Sequence, residues 1–177
     1  MPLTQLSSDA RRVSELCDLL ERLADDLPQQ SLPKWRKAAR LSATIMPQHM
    51  DLVSRVLVER LIQSTIDDSF CQTVLRRVQS ELWDCTVSIA ELTNLLEDAS
   101  SLRVSQLPPE ALGYALRGHF DAIRRQLAWE TGVLMPLALR SCSPGELEDM
   151  RLELQRHAET RVRTSSLALS PVAQRPH

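Results

Sequence analysis

The pattern that most constrains the fold lies between residues 69 and 98, where apolar residues recur at alternating spacings of four and three. They are Cys71, Leu75, Val78, Leu82, Cys85, Ile89, Leu92 and Leu96. An α-helix places residues at these spacings on one face, and a seam of this length is typical of helices packed side by side in a bundle. Only 3% of the residues are aromatic while 43% are hydrophobic, which favours aliphatic helix packing over a sheet. The chain is therefore predicted to be all-α.

Four further segments carry helical periodicity. They span about residues 8–26, 31–63, 108–140 and 143–161. Pro47 lies inside the second of these helices, where it removes a backbone hydrogen bond and is expected to kink the helix. Ser143 and Glu146 flank Pro144 with the spacing of a capping box, which predicts the start of the fifth helix.

Four long amphipathic helices joined by short loops predict an up-down-up-down four-helix bundle. The short fifth helix is expected to cover one end or one side of it. The last residues contain Ser, Pro and Gln without a sustained apolar period, as in disordered termini. The expected organisation is one bundle domain over residues 1–162 and a disordered tail over residues 163–177.

Charge and hydropathy exclude several classes of partner. The net charge of -2 gives no electrostatic basis for binding nucleic acid. No run of about 18 apolar residues exists, so no membrane span is expected. The first residues lack the apolar core of a secretion signal, so the predicted location is cytoplasmic. The four cysteines are widely spaced, and in that compartment free thiols are expected.

Polar residues interrupt the apolar stripes of the second and fourth predicted helices. His49 lies on the inward stripe of the second helix, and His119, Gln126 and Glu130 lie on that of the fourth. Burial of such groups without partners costs about 1–3 kcal/mol each. Two interpretations remain open from the residues alone. The side chains satisfy one another, or they form a metal site, because bundle interiors are where facing helices present His and Glu to iron.

Three segments resemble a known family. They are the run Met-Pro-Gln-His at 46–49, the run Trp-Glu-Thr-Gly-Val-Leu-Met-Pro-Leu-Ala at 129–138, and the run Leu-Cys-Asp-Leu-Leu-Glu-Arg-Leu-Ala at 16–24. Together with the helix layout over about residues 6–160, they resemble hemerythrin-like domains, also known as HHE cation-binding domains. The resemblance implies a four-helix bundle that holds a non-haem di-iron centre.

The family's ligands are a His on the first helix, a His-x-x-x-Glu pair on the second, a His on the third, and a His-x-x-x-Glu pair on the fourth. In this chain these positions fall at or near Ala10, His49, Val53, Glu81, Gln126 and Glu130. Only His49 and Glu130 keep the family's residue type, and Val53 cannot bind a metal. The resemblance thus implies a degenerate member with vestigial ligand positions and no cofactor. His49, Gln126 and Glu130, with Glu81, are expected to form a hydrogen-bonded polar cluster.

A second layer is suggested by axial position. In an antiparallel bundle Cys17, Cys85 and His119 are displaced the same way along the axis, and Ser42 or a water is a candidate fourth ligand. Two thiolates and an imidazole suit zinc. The alternative is that the cysteines are small buried hydrophobes, because these spacings lack the short separations of zinc motifs.

The leading functional hypothesis is a non-enzymatic protein-interaction or regulatory module that binds another protein or itself. The alternative is a metal-binding sensor or storage protein with one rebuilt cation site, iron or zinc, formed by His49, Glu130, Glu81 and His119. An enzyme with a new site in the bundle interior ranks last. Trp83 and Trp129 lie beside the inward stripes and are expected at the edge of the core.

Overall fold

The computed structural model describes residues 3–27, 32–100 and 108–168, with side chains at all of these positions except 32, 99, 100 and 160–168. Within them all regular structure is helical, which confirms the all-α prediction. Five helices follow one another along the chain. They are α1 (Thr4–Asp25), α2 (Leu32–Leu52, a π segment Val53–Val58, and Glu59–Ser64), α3 (Ser69–Ser100), α4 (Pro109–Trp129, a π segment Glu130–Leu134, and Met135–Ser141) and α5 (Pro144–Ala168).

The seam on α3 is buried along its whole length, from Cys71 to Leu96. Because α3 is a single uninterrupted α-helix, a spacing of three and four residues keeps one face inward throughout. Trp83 follows the seam residue Leu82 and is therefore rotated by about 100° from it. Its side chain is 70% exposed, so the prediction that it lies at the core edge was wrong. Trp129 is half-buried against the core, as predicted.

Helices α1 and α4 run antiparallel and are joined at their surface by ion pairs. Arg117 contacts Asp25 at 2.6 Å, and Arg124 contacts Asp18 at 3.0 Å and Glu21 at 2.7 Å. The pairing advances along α4 as it retreats along α1, which fixes the direction. Helix α2 packs mainly against α3 and α1, and α3 packs against α4. The aliphatic stripes of all four helices thus meet in one core.

Two π segments interrupt the α-helical hydrogen bonding. In α2 the Glu59 N–H donates to the Ser54 carbonyl, and in α4 the Met135 N–H donates to the Glu130 carbonyl, both five residues apart. Helix α2 continues through Pro47, and its π segment begins six residues later, at Val53. Single π turns of this kind are frequent at functional sites.

Helix α5 begins as the sequence predicts. The Ser143 N–H donates to Glu146 Oε2 at 2.7 Å, and the Glu146 N–H donates to Ser143 Oγ at 3.3 Å, which is a capping box. Met150 and Leu154 are buried. The helix extends to Ala168, beyond its predicted end, so residues 163–168 of the predicted tail are helical. The remainder of that tail, 169–177, lies outside the described residues.

No helix within the described ranges has the length and apolarity needed to cross a membrane. All four cysteines are free thiols with buried side chains, as predicted.

Candidate functional site

The centre of the core contains a contact between His49 and Glu130, the two positions at which the resemblance retains a ligand type. His49 Nε2 lies 2.9 Å from Glu130 Oε2 and 3.1 Å from Oε1. The side chains are 1% and 0% exposed. One imidazole N–H therefore satisfies the carboxylate in a site closed to solvent, and the two predicted residues are brought together.

Each member of this pair lies beside a π segment. His49 lies between the buried residues Met46 and Met50, four residues before the π segment of α2 begins. Glu130 is the first residue of the π segment of α4. The inward stripes of α2 and α4 carry both side chains to the same level of the core.

Gln126 lies one turn before Glu130 and is 1% exposed. Neither its Nε2 nor its Oε1 has a hydrogen-bond partner within the described part of the chain, and the same is true of His49 Nδ1 and Ser42 Oγ. The expected hydrogen-bonded cluster is thus formed only between His49 and Glu130. Gln126 is buried beside it without joining it.

Glu81 contacts other partners. Its Oε2 accepts a hydrogen bond from Trp129 Nε1 at 3.1 Å, and its Oε1 accepts one from Arg77 Nε at 2.9 Å. The side chain is 25% exposed, because it precedes the seam residue Leu82 and lies on the flank of α3. Glu81 thereby braces the outer surface of the core and makes no hydrogen bond to His49 or Glu130.

His119 lies on α4 two turns before Gln126 and eleven residues before Glu130. Its Nδ1 is 2.6 Å from Ser88 Oγ of α3. Partial burial lowers the pKa of His119, while the charge of Glu91 opposes this shift. The imidazole is therefore a half-buried neutral group at the α3–α4 contact, separate from the His49–Glu130 pair.

The thiols of Cys17 and Cys85 are buried in the core. The pKa of each thiol is raised to about 12, chiefly by burial, and at Cys85 the charge of Glu130 contributes to this rise. The charge of Cys85 makes a small contribution to the raised pKa of Cys17, which places the two thiols in the same region of the core. At neutral pH both remain protonated, and a protonated thiol is a poor nucleophile.

The donor set does not fit the di-iron centre that the resemblance implies. Among the residues with described positions, no three His, Cys, Asp or Glu side chains are grouped so as to hold a metal ion. The proposed zinc layer of Cys17, Cys85 and His119 is therefore not formed, because His119 turns to Ser88 instead. Val53 is fully buried in the π segment of α2 and contributes only a hydrocarbon surface.

Sequence reasoning also missed a buried carboxylate. Asp9 is 3% exposed and lies 3.9 Å from Arg12 on the next turn of α1. It directly precedes Ala10, the position considered for a first-helix ligand. An acid inside the stripe beside Ala10 was the signal available in the sequence.

An apolar groove runs along the surface between the start of α3 and the end of α4. Its volume is about 430 Å³. The groove is lined by Phe70, Cys71, Val74, Trp129, Gly132, Val133, Pro136, Leu137 and Arg140. Within this lining, the side chain of Phe70 is 75% exposed. Gly132 has open space where a side chain would project, so a docked group would reach the helix backbone there.

The π segment of α4 links this groove to the buried pair. Its first residue, Glu130, points inward, whereas Gly132 and Val133 line the groove on the outside. Pro136 cannot donate a hydrogen bond to the Gly132 carbonyl, which fits the departure from α-helical bonding at this point. Sequence reasoning missed the groove because its residues do not share one helical stripe.

A smaller polar recess of about 250 Å³ lies further along the same two helices. Its lining includes the charged residues Arg77, Asp84 and Arg125 at the surface and Cys85 and Gln126 beneath. Through Gln126, the recess brings solvent close to the buried polar side chains of the core.

Comparison of the chain with protein families, curated proteins and solved structures finds no match in any of the three. The resemblance to hemerythrin-like domains therefore stays a prediction.

Proposed function

We propose that this chain is a hemerythrin-like up-down-up-down four-helix bundle that has lost its di-iron centre and acts in the cytoplasm as a protein-interaction or regulatory module. The observation that carries the proposal is the apolar groove between α3 and α4, whose lining includes the exposed Phe70. The interior pair His49–Glu130 is a remnant that now stabilises the fold.

The groove has the character of a protein-binding surface. Contiguous exposed apolar surface on a soluble protein marks a site of interaction, and aromatic residues dominate the energetics of such sites. Phe70 is three-quarters exposed, and Trp129 forms a wall held in place by its hydrogen bond to Glu81. Two helices that flank a groove provide a rigid cradle for an apolar side chain or a short helix.

The polar and thiol groups in the interior are poorly suited to catalysis. The His49–Glu130 pair is sealed from solvent, so a substrate does not reach it. The pKa of about 12 at Cys17 and at Cys85 keeps both thiols protonated at neutral pH. A non-enzymatic function is the one these features favour.

A quantitative affinity capture from native extract tests the proposal. The bait variants are the wild type, Phe70→Asp and the matched control Tyr114→Asp, because Tyr114 is an equally exposed aromatic residue, 81% exposed, outside the groove. We expect a protein retained by the wild type and by Tyr114→Asp but lost with Phe70→Asp. A set of captured proteins that is the same for all three baits would contradict a function of the groove.

The second candidate is a single-cation sensor or storage site, with iron or zinc as the ion. Two ligands in cis on one metal at about 2.1 Å lie about 3 Å apart, close to the observed 2.9 Å between His49 and Glu130. Gln126 adds an unpartnered oxygen one turn away. Elemental analysis of protein purified without chelators separates the candidates: about one metal per chain supports the second, and substoichiometric metal supports the first.

A further inference from the structure

The turn between α2 and α3 carries a projecting apolar knob, formed by Ile66, Asp67 and Phe70. Ile66 is 73% exposed and Phe70 is 75% exposed, and Asp67 between them faces solvent. Asp67 makes no ion pair with any described residue. Two large apolar side chains therefore flank an unpaired carboxylate.

The knob is held rigidly. Gln72 Nε2 donates to the Ile62 carbonyl at 2.8 Å and to the Thr65 carbonyl at 3.1 Å, so α3 grips the end of α2. Asp68 Oδ1 accepts a hydrogen bond from the Cys71 N–H at 2.9 Å. Because the turn is already ordered, docking of the knob loses little conformational entropy.

The groove adjoins the knob, since Phe70 belongs to both, and its other lining residues complement the knob in polarity and charge. Its lining is mostly apolar and includes Trp129, Val133 and Pro136, together with the cationic Arg140. Arg140 makes one hydrogen bond in the described part of the chain, a long one of 3.9 Å to Cys71 Sγ, and no ion pair with a described residue. Its charge helps to lower the pKa of the nearby Asp68. The carboxylate of Asp68 is used by the α3 N-terminus. An occupant of the groove that carries an apolar anchor beside a carboxylate would satisfy Arg140.

This chain contains such an occupant in its own knob. We propose that the groove binds the knob of a second copy, which forms a two-fold symmetric homodimer in which Arg140 of each copy faces Asp67 of the other. In an isologous dimer one patch that contains both a knob and its receptor makes the same contact twice. The proposal rests on the proposed function and names the partner at its groove.

A charge exchange tests this pairing. The dissociation constant of the dimer is measured by sedimentation velocity for the wild type, Asp67→Arg, Arg140→Glu and the double variant that carries both changes. The wild-type chain has a mass of 20.0 kDa. We expect its dimer to have a dissociation constant below about 100 μM. Each single change juxtaposes like charges twice and should weaken dimerisation roughly tenfold or more.

Restoration gives the decisive result. The double variant should regain the wild-type dissociation constant. An equimolar mixture of Asp67→Arg with Arg140→Glu should form a heterodimer at the same concentrations, because every facing pair is again of opposite charge. Asp121→Arg is the matched control, since Asp121 is an exposed acid on α4 outside the groove, and it should leave the constant unchanged. Both substituted side chains are exposed, and circular dichroism verifies that the variants are folded.

Two outcomes overturn the proposal. One is a wild type that remains monomeric at about 100 μM, and the other is a charge exchange that fails to restore dimerisation. If the chain is monomeric while Phe70→Asp still abolishes capture of a different protein, the second-copy proposal fails and the proposed function stands. If neither dimerisation nor capture depends on Phe70, both fail.

Discussion

The inner and outer sides of one π segment, Glu130–Leu134 in α4, have opposite relations to solvent. On the inside, the carboxylate of Glu130 is fully buried and contacts His49 at 2.9 Å. On the outside, Gly132 and Val133 line an apolar groove open to water. A carboxyl side chain thus lies in the core, where hydrocarbon is expected, and apolar side chains lie at the surface, where polar ones are expected.

The difference indicates which side is available for function. The inner side chains contact each other across the core, since His49 Nε2 lies 2.9 Å from Glu130 Oε2, while His49 Nδ1 stays without a described partner. On the outer side, no described residue covers Phe70 in the groove. Removal of such apolar surface from water by a bound partner is favourable. Substitutions on the inner side should therefore change stability, and substitutions on the outer side should change association.

Loss of Glu130 should give the largest effect on the inner side. Glu130→Leu leaves the His49 ring N–H buried without an acceptor, and we expect a loss of about 3 kcal/mol in the free energy of unfolding. Urea denaturation followed by circular dichroism measures this loss. His49→Leu together with Glu130→Leu should recover most of the stability, because a buried pair replaced by apolar groups of similar size is often neutral.

The control for this experiment is Asp121→Leu, an exposed position on the same helix, which should change stability by less than about 0.5 kcal/mol. A double variant no more stable than Glu130→Leu alone would show that the pair is not an independent unit. The view that the inner side of the segment is a self-contained pair would then be wrong.

Gln126→Leu should change stability in the opposite direction. Both amide atoms are buried without a partner in the described residues, so an apolar side chain of similar volume removes a desolvation penalty. We expect stabilisation of about 1 kcal/mol, measured by the same urea titration. A destabilised variant would reveal a partner for the amide, such as a bound cation. Combined with elemental analysis, that result would favour the metal-binding candidate.

His119 is an intermediate case, half-buried at the α3–α4 contact, and should produce the smallest effect. Burial lowers its pKa, so the unfolded chain binds a proton as the pH falls through about 6.5 while the folded chain resists it. Stability should fall between pH 7.5 and 5.5. His119→Gln should reduce this loss by less than about 1 kcal/mol, because the group is only partly desolvated. An identical pH dependence in both proteins would contradict the burial of His119.

The helices follow from local pattern to a large extent. The α3 seam predicted an inward face that is buried throughout, and the capping box predicted the start of α5. The end of α5 was missed because no breaker residue marks it. The π segments were missed as well, since hydrogen bonds between residues five apart leave no periodic signature that differs from α-helix over so few residues.

The candidate site was predictable only in part. His49 and Glu130 were both recognised as polar groups on inward stripes, and they contact each other. Glu81 was grouped with them because the resemblance puts a third-helix ligand near it, and His119 because it lies on the inward stripe of the fourth helix. Rotation about the helix axis turns Glu81 to Trp129 and His119 to Ser88, and helical period cannot fix such rotation to within one side chain.

The sequence by itself determined the helical class, the buried stripes and the presence of polar residues inside them. Spacing along one chain sets these features through the geometry of the helix. Only the tertiary structure decided which polar groups pair across the core and that the outside of α3 and α4 encloses a groove. Those features depend on side chains from different helices that meet at distances of a few ångströms, and no periodicity within a single helix encodes the orientation of its neighbour.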